Sequence, residues 1–417
     1  MAISAGSMRF KQGVQMRLER PPELGSPTAP GVLPLVDGYR GLAALGVVVY
    51  HAAYATGVFS EPVVGGVLAR LGNYAVAVFF VISGLVLYLP FATAALRRQS
   101  PPDWRSFYWR RFLRIFPAYW VALSALFFAF GVSRPGNLDT LVANYTLTQT
   151  LRGSFVLSGM VVAWTLAIEI AFYLALPALA HLVRRFGRAT RMRPDVRVQV
   201  IGLGLLYLGA LGYRLVVLAV APNSVALLWL PAYLDWFALG MLLAVGVSFV
   251  SIGGRLPRPA ARLAESPFVC VAAAVLLYWA LVALDLPRGL QIEPPRLTMV
   301  RFLLSGLSAT LLVLPAALGD PERGLFPAVM SSPPLRITGR ISYGIYLWHT
   351  LWLYQVVQWV SRGSYAAGFV PVLAAILLLS LPSAAVSYLL VELPARDLRF
   401  LVPDRARGAP PMTMAWP

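Results

Sequence analysis

Val36-Asp37-Gly38-Tyr39-Arg40-Gly41-Leu42-Ala43-Ala44-Leu45-Gly46-Val47-Val48-Val49-Tyr50-His51 carries an acid, a base and a histidine into an otherwise apolar run. At 100° per residue, Arg40 and His51 differ by about 20° around a helix, and Asp37 lies within roughly 60° of both. One face of this helix is therefore polar. An ionisable side chain inside a bilayer costs about 2.5–3.5 kcal/mol even on insertion scales, so three on one stripe point to a functional site. The other reading of the first two is an Asp37–Arg40 pair at i,i+3 that only anchors the helix start.

The rest of the chain decides that this helix enters a membrane. Of 417 residues, 59% are hydrophobic and 12% charged, and the mean hydropathy is +0.71, outside the range of water-soluble domains. Ten stretches are long and apolar enough to span, near residues 40–58, 74–95, 115–131, 161–183, 199–221, 225–249, 267–285, 299–318, 339–360 and 368–391. The expected fold is an all-α polytopic membrane protein with about ten transmembrane helices. The net charge of +18 raises a nucleic-acid partner, but position argues otherwise. Counting span edges with the loops, 26 of the 35 basic residues fall on the two termini and every second loop, and only 7 on the intervening loops. This alternation expects both termini in the cytoplasm, with the lipid bilayer and no nucleic acid as the partner that explains the charge.

Residues 1–34, rich in Pro, Gly and Ser, read as a disordered cytoplasmic tail. The transmembrane domain is expected over 35–396, and 397–417 as a short basic cytoplasmic tail. The lead before the first span is polar, so that span is expected to serve as the insertion signal rather than a cleaved leader. Cys270, the single cysteine, lies between valines inside a span and reads as packing. It excludes an internal disulfide and a cysteine-rich metal site.

His51 lies about 16 Å along its helix from Arg40, and is the candidate general base for a hydroxyl substrate. Asp37 is some 21 Å from it by the same rise, so another helix must supply the acid that orients the imidazole. Glu169, in Trp164-Thr165-Leu166-Ala167-Ile168-Glu169-Ile170-Ala171-Phe172-Tyr173, is the candidate, with a plain interhelical hydrogen bond as its bland reading. His349, in Ser342-Tyr343-Gly344-Ile345-Tyr346-Leu347-Trp348-His349, reads equally as a functional imidazole or a packed one. His181, beside Arg184 and Arg185, reads as a solvated residue at a helix end. Ser83-Gly84 suits a nucleophile or a close helix crossing, and the crossing is the simpler account. Arg110, Arg111 and Arg114, interleaved with aromatics, could grip the phosphates of a cytosolic coenzyme or nucleotide, or simply obey the positive-inside rule.

In combination and order these segments resemble the acyltransferase-3 family of polytopic membrane O-acyltransferases. Asp37-Gly38-Tyr39-Arg40-Gly41 with Arg40-x10-His51 is similar to its first-helix signature. Phe79-Phe80-Val81-Ile82-Ser83-Gly84, Arg111-x-x-Arg114 with Ile115-Phe116-Pro117-Ala118-Tyr119-Trp120, and Trp164-Thr165-Leu166 with Glu169 resemble later motifs. Tyr343 to His349 and Glu392-Leu393-Pro394 complete the set. The resemblance covers residues 33–396 and departs from the family at Tyr39, where an aliphatic residue is expected. It implies the stand-alone type, without the hydrolase-like domain fused to some members.

The resemblance further implies transfer of an acyl group, expected to be acetyl, from cytosolic acyl-CoA. The acceptor would be a hydroxyl of a carbohydrate, glycolipid or other secondary metabolite. It makes His51, Arg40 and Glu169 catalytic, Arg110, Arg111 and Arg114 donor-binding, and Asp37, Ser83, Trp164, Tyr343 and His349 substrate-binding or supporting. Acyl-CoA, as acetyl-CoA, is the only co-substrate and no metal is required. The expected location is the plasma (inner) membrane as a multi-pass protein. Two rival classes use the same residues: a transporter or flippase for a lipid-linked or polar solute, and a membrane sensor that binds acyl-CoA without turnover.

Overall fold

The computed structural model describes residues 33, 35–132, 135–151, 158–189, 196–289, 293–362 and 368–402. The tail expected over 1–34, Leu33 apart, and the C-terminal tail beyond residue 402 lie outside the described residues. Each of the ten apolar stretches coincides with a long helix: α1 Val36–Ala55, α2 Pro62–Leu96, α3 Trp104–Ser124, α4 Ala163–Ala189, α5 Val196–Val220, α6 Leu234–Ser251, α7 Pro267–Ala283, α8 Pro295–Leu318, α9 Ser342–Arg362 and α10 Phe369–Ser387. There is no strand among the described residues. The protein is an all-α polytopic membrane protein.

Seven of these helices are long and apolar enough to cross a membrane, and α7 joins them if the short helix Arg258–Ala264, bent from it by 88°, counts with it as one span. The two left out, α1 and α9, carry His51 and His349. Asp37, Arg40 and His51 depress the hydropathy of α1, and Tyr, Trp, Gln and His depress that of α9. Both are nonetheless packed within the bundle, α1 against α2, α9 and α10. A polar helix is tolerable in lipid only when neighbouring protein covers its polar face.

The core is set by a close crossing of α2 and α6. A Cβ placed on Gly84 would fall on the Phe237 carbonyl, and one on Gly240 on the Val81 carbonyl, so these helices touch backbone to backbone. Gly84 thus forms the crossing expected at Ser83-Gly84. Stacked rings of Phe80 and Phe237 at 4.6 Å, and of Phe172 and Phe237 at 4.0 Å, draw α4 onto the same seam. Beside it, Arg214 of α5 pairs with Asp235 of α6 at 2.7 Å, both essentially fully buried. The Arg214 guanidinium also lies 3.8 Å from the Phe302 ring centroid on α8. Cys270 is buried and donates to the Leu263 carbonyl at 3.2 Å.

Two short helices, Leu325–Met330 and Pro333–Arg340, close over the start of α1. They can do so because Gly38 and Gly41 leave that face bare: added Cβ atoms would sit 2.5 Å from the Met330 carbonyl oxygen and 3.0 Å from the Gly339 nitrogen. At the other end of the chain, α10 runs into a π turn, Tyr388–Glu392, which rotates the register and turns Glu392 inward.

Gly240→Ala should lower the thermal unfolding midpoint in detergent by the equivalent of about 1–3 kcal/mol, the usual cost of overpacking a tight contact. Gly204→Ala on α5, where an added Cβ meets nothing within 4 Å, should leave it unchanged or raised.

Candidate active site

The polar face of α1 meets three other segments in turn. At its far end from Asp37, His51 stands against His349 of α9, with His349 Nε2 and His51 Nδ1 3.3 Å apart and the ring centroids 5.2 Å apart. Each imidazole also reaches back one turn of its own helix: His349 Nδ1 lies 3.1 Å from the Ile345 carbonyl and His51 Nδ1 2.9 Å from the Val47 carbonyl. A carbonyl only accepts, so both Nδ1 atoms carry the hydrogen and both Nε2 atoms carry lone pairs. His349 Nε2 then accepts a share of the His51 Nδ1–H. The lone pair on His51 Nε2 is left for a substrate, the tautomer a general base requires.

The structure does not bring Glu169 and His51 into hydrogen-bond contact. Glu169 Oε1 accepts from Ser83 Oγ at 2.9 Å and from Tyr173 OH at 2.5 Å, and no hydrogen bond joins it to His51 among the described residues. The sequence pairs these two residues by type, whereas the rotation of α4 turns Glu169 toward Ser83 of α2 and toward Arg40 and Arg111. Ser83 accordingly donates to a carboxylate.

The third meeting point is the arginine helix. Arg114 Nη1 donates to Glu392 Oε2 at 3.1 Å, and Arg396 reaches the same oxygen at 3.5 Å. Glu392 is buried at 2% exposure. Arg114 also lies 5.7 Å from the ring centroid of Tyr343, whose hydroxyl donates to the Ile115 carbonyl at 2.8 Å. Arg111 sits between the rings of Phe107 and Tyr173, at 5.8 and 5.9 Å. Arg110 is half-buried on the same helix.

Arg40 lies between these groups. Asp37, Glu169 and Tyr173 act on it as electrostatic neighbours, together with Arg114. Its guanidinium makes no hydrogen bond or ion pair with another described residue. In particular no ion pair joins it to Asp37, so the anchoring pair at the helix start does not form. Asp37 is buried at 5% exposure, its Oδ1 without a hydrogen bond, among Arg40, Arg114, Arg336 and Arg340. Trp164 is half-buried and packs on Tyr233 at 5.7 Å, while its neighbour Thr165 shares a 2.6 Å hydrogen bond with Tyr346. His181 is exposed on α4.

The site thus joins His51 to His349, Glu169 to Ser83, and Arg114 to Tyr343, with Arg40 between them. Sequence reasoning quoted Glu392 and Tyr173 only as parts of motifs and gave neither a role. The signal for Glu392 was the same as for Asp37, an acid closing an apolar run. Among the described residues no group of three or more His, Cys, Asp or Glu is arranged to hold a metal ion. The arrangement can bind an anionic or carbonyl-bearing ligand at the arginines and deprotonate a hydroxyl at His51.

Residues 34–392 match the family model described as an acyltransferase domain. The chain is similar to the O-acetyltransferase OatA of Staphylococcus aureus, with 26% identity over 392 residues that cover 89% of this chain and 58% of that protein. It is similar to the peptidoglycan O-acetyltransferase OatA of Listeria monocytogenes, 25% identical over 76% of this chain and 49% of the other. Acyltransferase MdmB of Streptomyces mycarofaciens is 35% identical over 164 residues, 37% of this chain and 40% of that one. The chain therefore spans about half to three-fifths of the length of the two OatA proteins. No solved structure matches.

Because Glu392 is buried and Arg114 is its principal partner, Arg114→Met should cost about 3 kcal/mol by leaving the carboxylate uncompensated, read as a fall in the unfolding midpoint. The double variant Arg114→Met/Glu392→Leu should regain most of that loss. A double variant no more stable than the single one would show that the pair does not hold the helix ends together.

Proposed function

Since this chain belongs to the acyltransferase-3 family, we propose that it is an O-acyltransferase that moves an acetyl group from cytosolic acetyl-CoA onto a hydroxyl of a carbohydrate or other envelope-side acceptor. The reading takes it as a multi-pass protein of the plasma membrane with both termini in the cytoplasm. The single observation that carries it is the His51–His349 pair, which leaves the Nε2 lone pair of His51 available inside the bundle.

The donor's phosphates lie against Arg110, Arg111 and Arg114, whose planar forks suit them. The pantetheine arm brings the thioester to the stretch of α1 between Arg40 and His51, whose backbones lie roughly 16 Å apart along the helix, so that one side chain reaches the reacting carbonyl from each end. Arg40 is suited to hold the thioester carbonyl, since no other described residue takes its hydrogen bonds. Its positive charge stabilises the oxyanion that forms when the acceptor oxygen attacks. His51 Nε2 takes the hydroxyl proton, the new carbon–oxygen bond replaces the carbon–sulfur bond, and the departing thiolate takes that proton from the His51 imidazolium to leave as the free thiol. The imidazolium that forms on His51 donates from Nδ1 to the Val47 carbonyl and the His349 lone pair, the service a carboxylate gives in other sites. Glu169, held by Ser83 and Tyr173, keeps a carboxylate beside Arg40 and so steadies the cation that binds the thioester.

Purified protein in nanodiscs, given acetyl-CoA and an N-acetylglucosamine tetrasaccharide, should release free thiol in an acceptor-dependent way. His51→Ala should slow this by about 10²–10⁴-fold, the range for losing a general base. Arg114→Met/Glu392→Leu, folded by the test above, should raise the KM for acetyl-CoA while leaving that for the acceptor unaltered. Equal thiol release by wild type and His51→Ala would contradict the assignment of the base.

A further inference from the structure

The end of α1 opposite Asp37 opens onto a cleft of about 660 Å³, lined by Tyr54, residues 57, 59 and 60, and the loop 285–289. That volume is in the range of small-molecule sites. The walls are fixed by guanidinium groups. Arg288 donates to the Phe59 and Glu61 carbonyls at 2.7 and 2.9 Å and to the Pro62 carbonyl at 3.1 Å, which ties one loop to the other. Arg70 holds the Pro287 carbonyl at 3.0 Å from behind, and also that of Leu286. The cleft is therefore built before anything binds.

Its lining combines an aromatic face with a carboxylate. Tyr54 is 47% exposed, and the Asp285 side chain is 82% exposed. An aromatic belt residue would explain the exposure of Tyr54 alone, but not a preformed polar cleft beside it. A row of packed rings joins this lining to His51. Tyr54 contacts Phe59 at 5.7 Å, Phe59 contacts Tyr50 at 5.3 Å, and Tyr50 contacts His51 at 5.0 Å. Tyr54 is one turn from His51 on the same helix, about 4.5 Å along the axis.

We propose that this cleft is the acceptor subsite and holds a pyranose ring of a glycan, its C–H face on Tyr54 and its hydroxyls on Asp285, with a further hydroxyl reaching His51 Nε2. The assignment rests on the acyl-transfer reading above for its consequence, but its binding test stands apart from turnover. A sugar suits the lining because it offers an apolar ring face and several hydroxyl donors at once. Asp285 accepts from Arg288 Nη2 at 3.2 Å through Oδ1, which leaves its exposed Oδ2 to take a sugar hydroxyl.

The test uses the full chain in nanodiscs with the N-acetylglucosamine tetrasaccharide as probe. In a Cys270→Ala background, Ser60→Cys should react with a membrane-impermeant maleimide, and the tetrasaccharide should slow that labelling. Adding Asp285→Ala should remove the protection. In the turnover assay, Tyr54→Ala and Asp285→Ala should each raise the glycan KM about tenfold, equivalent to 1.4 kcal/mol, and leave the acetyl-CoA KM unaltered. Labelling unaffected by saturating tetrasaccharide overturns the assignment, and so does an unaltered glycan KM in both variants. Protection without any thiol release would instead overturn the acyl-transfer reading and leave the cleft as a glycan site.

Discussion

A polar side chain in hydrocarbon must be met by a polar partner, and that requirement organises this bundle. The first helix brings Asp37, Arg40 and His51 into the membrane, and at a few kcal/mol each they could not stay there facing lipid. α9 supplies His349. The arginine helix, the tyrosines of α4 and α9, and the π turn after α10 surround the start of α1 with a set of charges that compensate one another. The helices that carry the histidines fall outside the set long and apolar enough to cross a membrane by themselves, and neighbouring helices pack around them.

Two kinds of ion pair serve different ends. Arg214–Asp235 is fully buried, capped by Phe302 and remote in chemistry from the histidines, and it clamps α5 to α6. Arg114–Glu392 is also buried on the acid's side, but it borders a guanidinium, that of Arg40, that has no hydrogen-bonding partner of its own. A cation kept near compensating carboxylates yet not bonded to them is poised for a ligand, and that contrast separates the site from the scaffold. Next to the close α2–α6 crossing at Gly84, Ser83 donates to Glu169.

Much of the fold was legible because long apolar runs and the alternation of basic loops have few physical meanings. The positions of the ten helices, the crossing at Gly84 and the polar stripe on α1 all follow from patterns local to one segment. The partners of those residues do not. Whether Glu169 faces His51 or Ser83 depends on how α4 is rotated against α2, and a helical period carries no information about its neighbour's rotation. His349 could be read as functional or packed for the same reason. Glu392 was hidden by the π turn, whose extra residue shifts the register that a regular helix would suggest. The Asp37–Arg40 pair, allowed by i,i+3 spacing, is not formed, although Asp37 remains an electrostatic neighbour of Arg40 together with Arg114 and Glu169.

The account stands on the two imidazoles acting as one unit, with His349 holding the tautomer in which His51 is a base. A double-mutant cycle on acceptor-dependent acyl transfer measures this directly, comparing wild type, His51→Ala, His349→Ala and the double variant. Residues that act as a unit lose their effect together. The predicted result is a double variant no slower than His51→Ala alone, with His349→Ala impaired but still measurably active. Losses that multiply in the double variant would mean that the two histidines work independently, and would contradict the account.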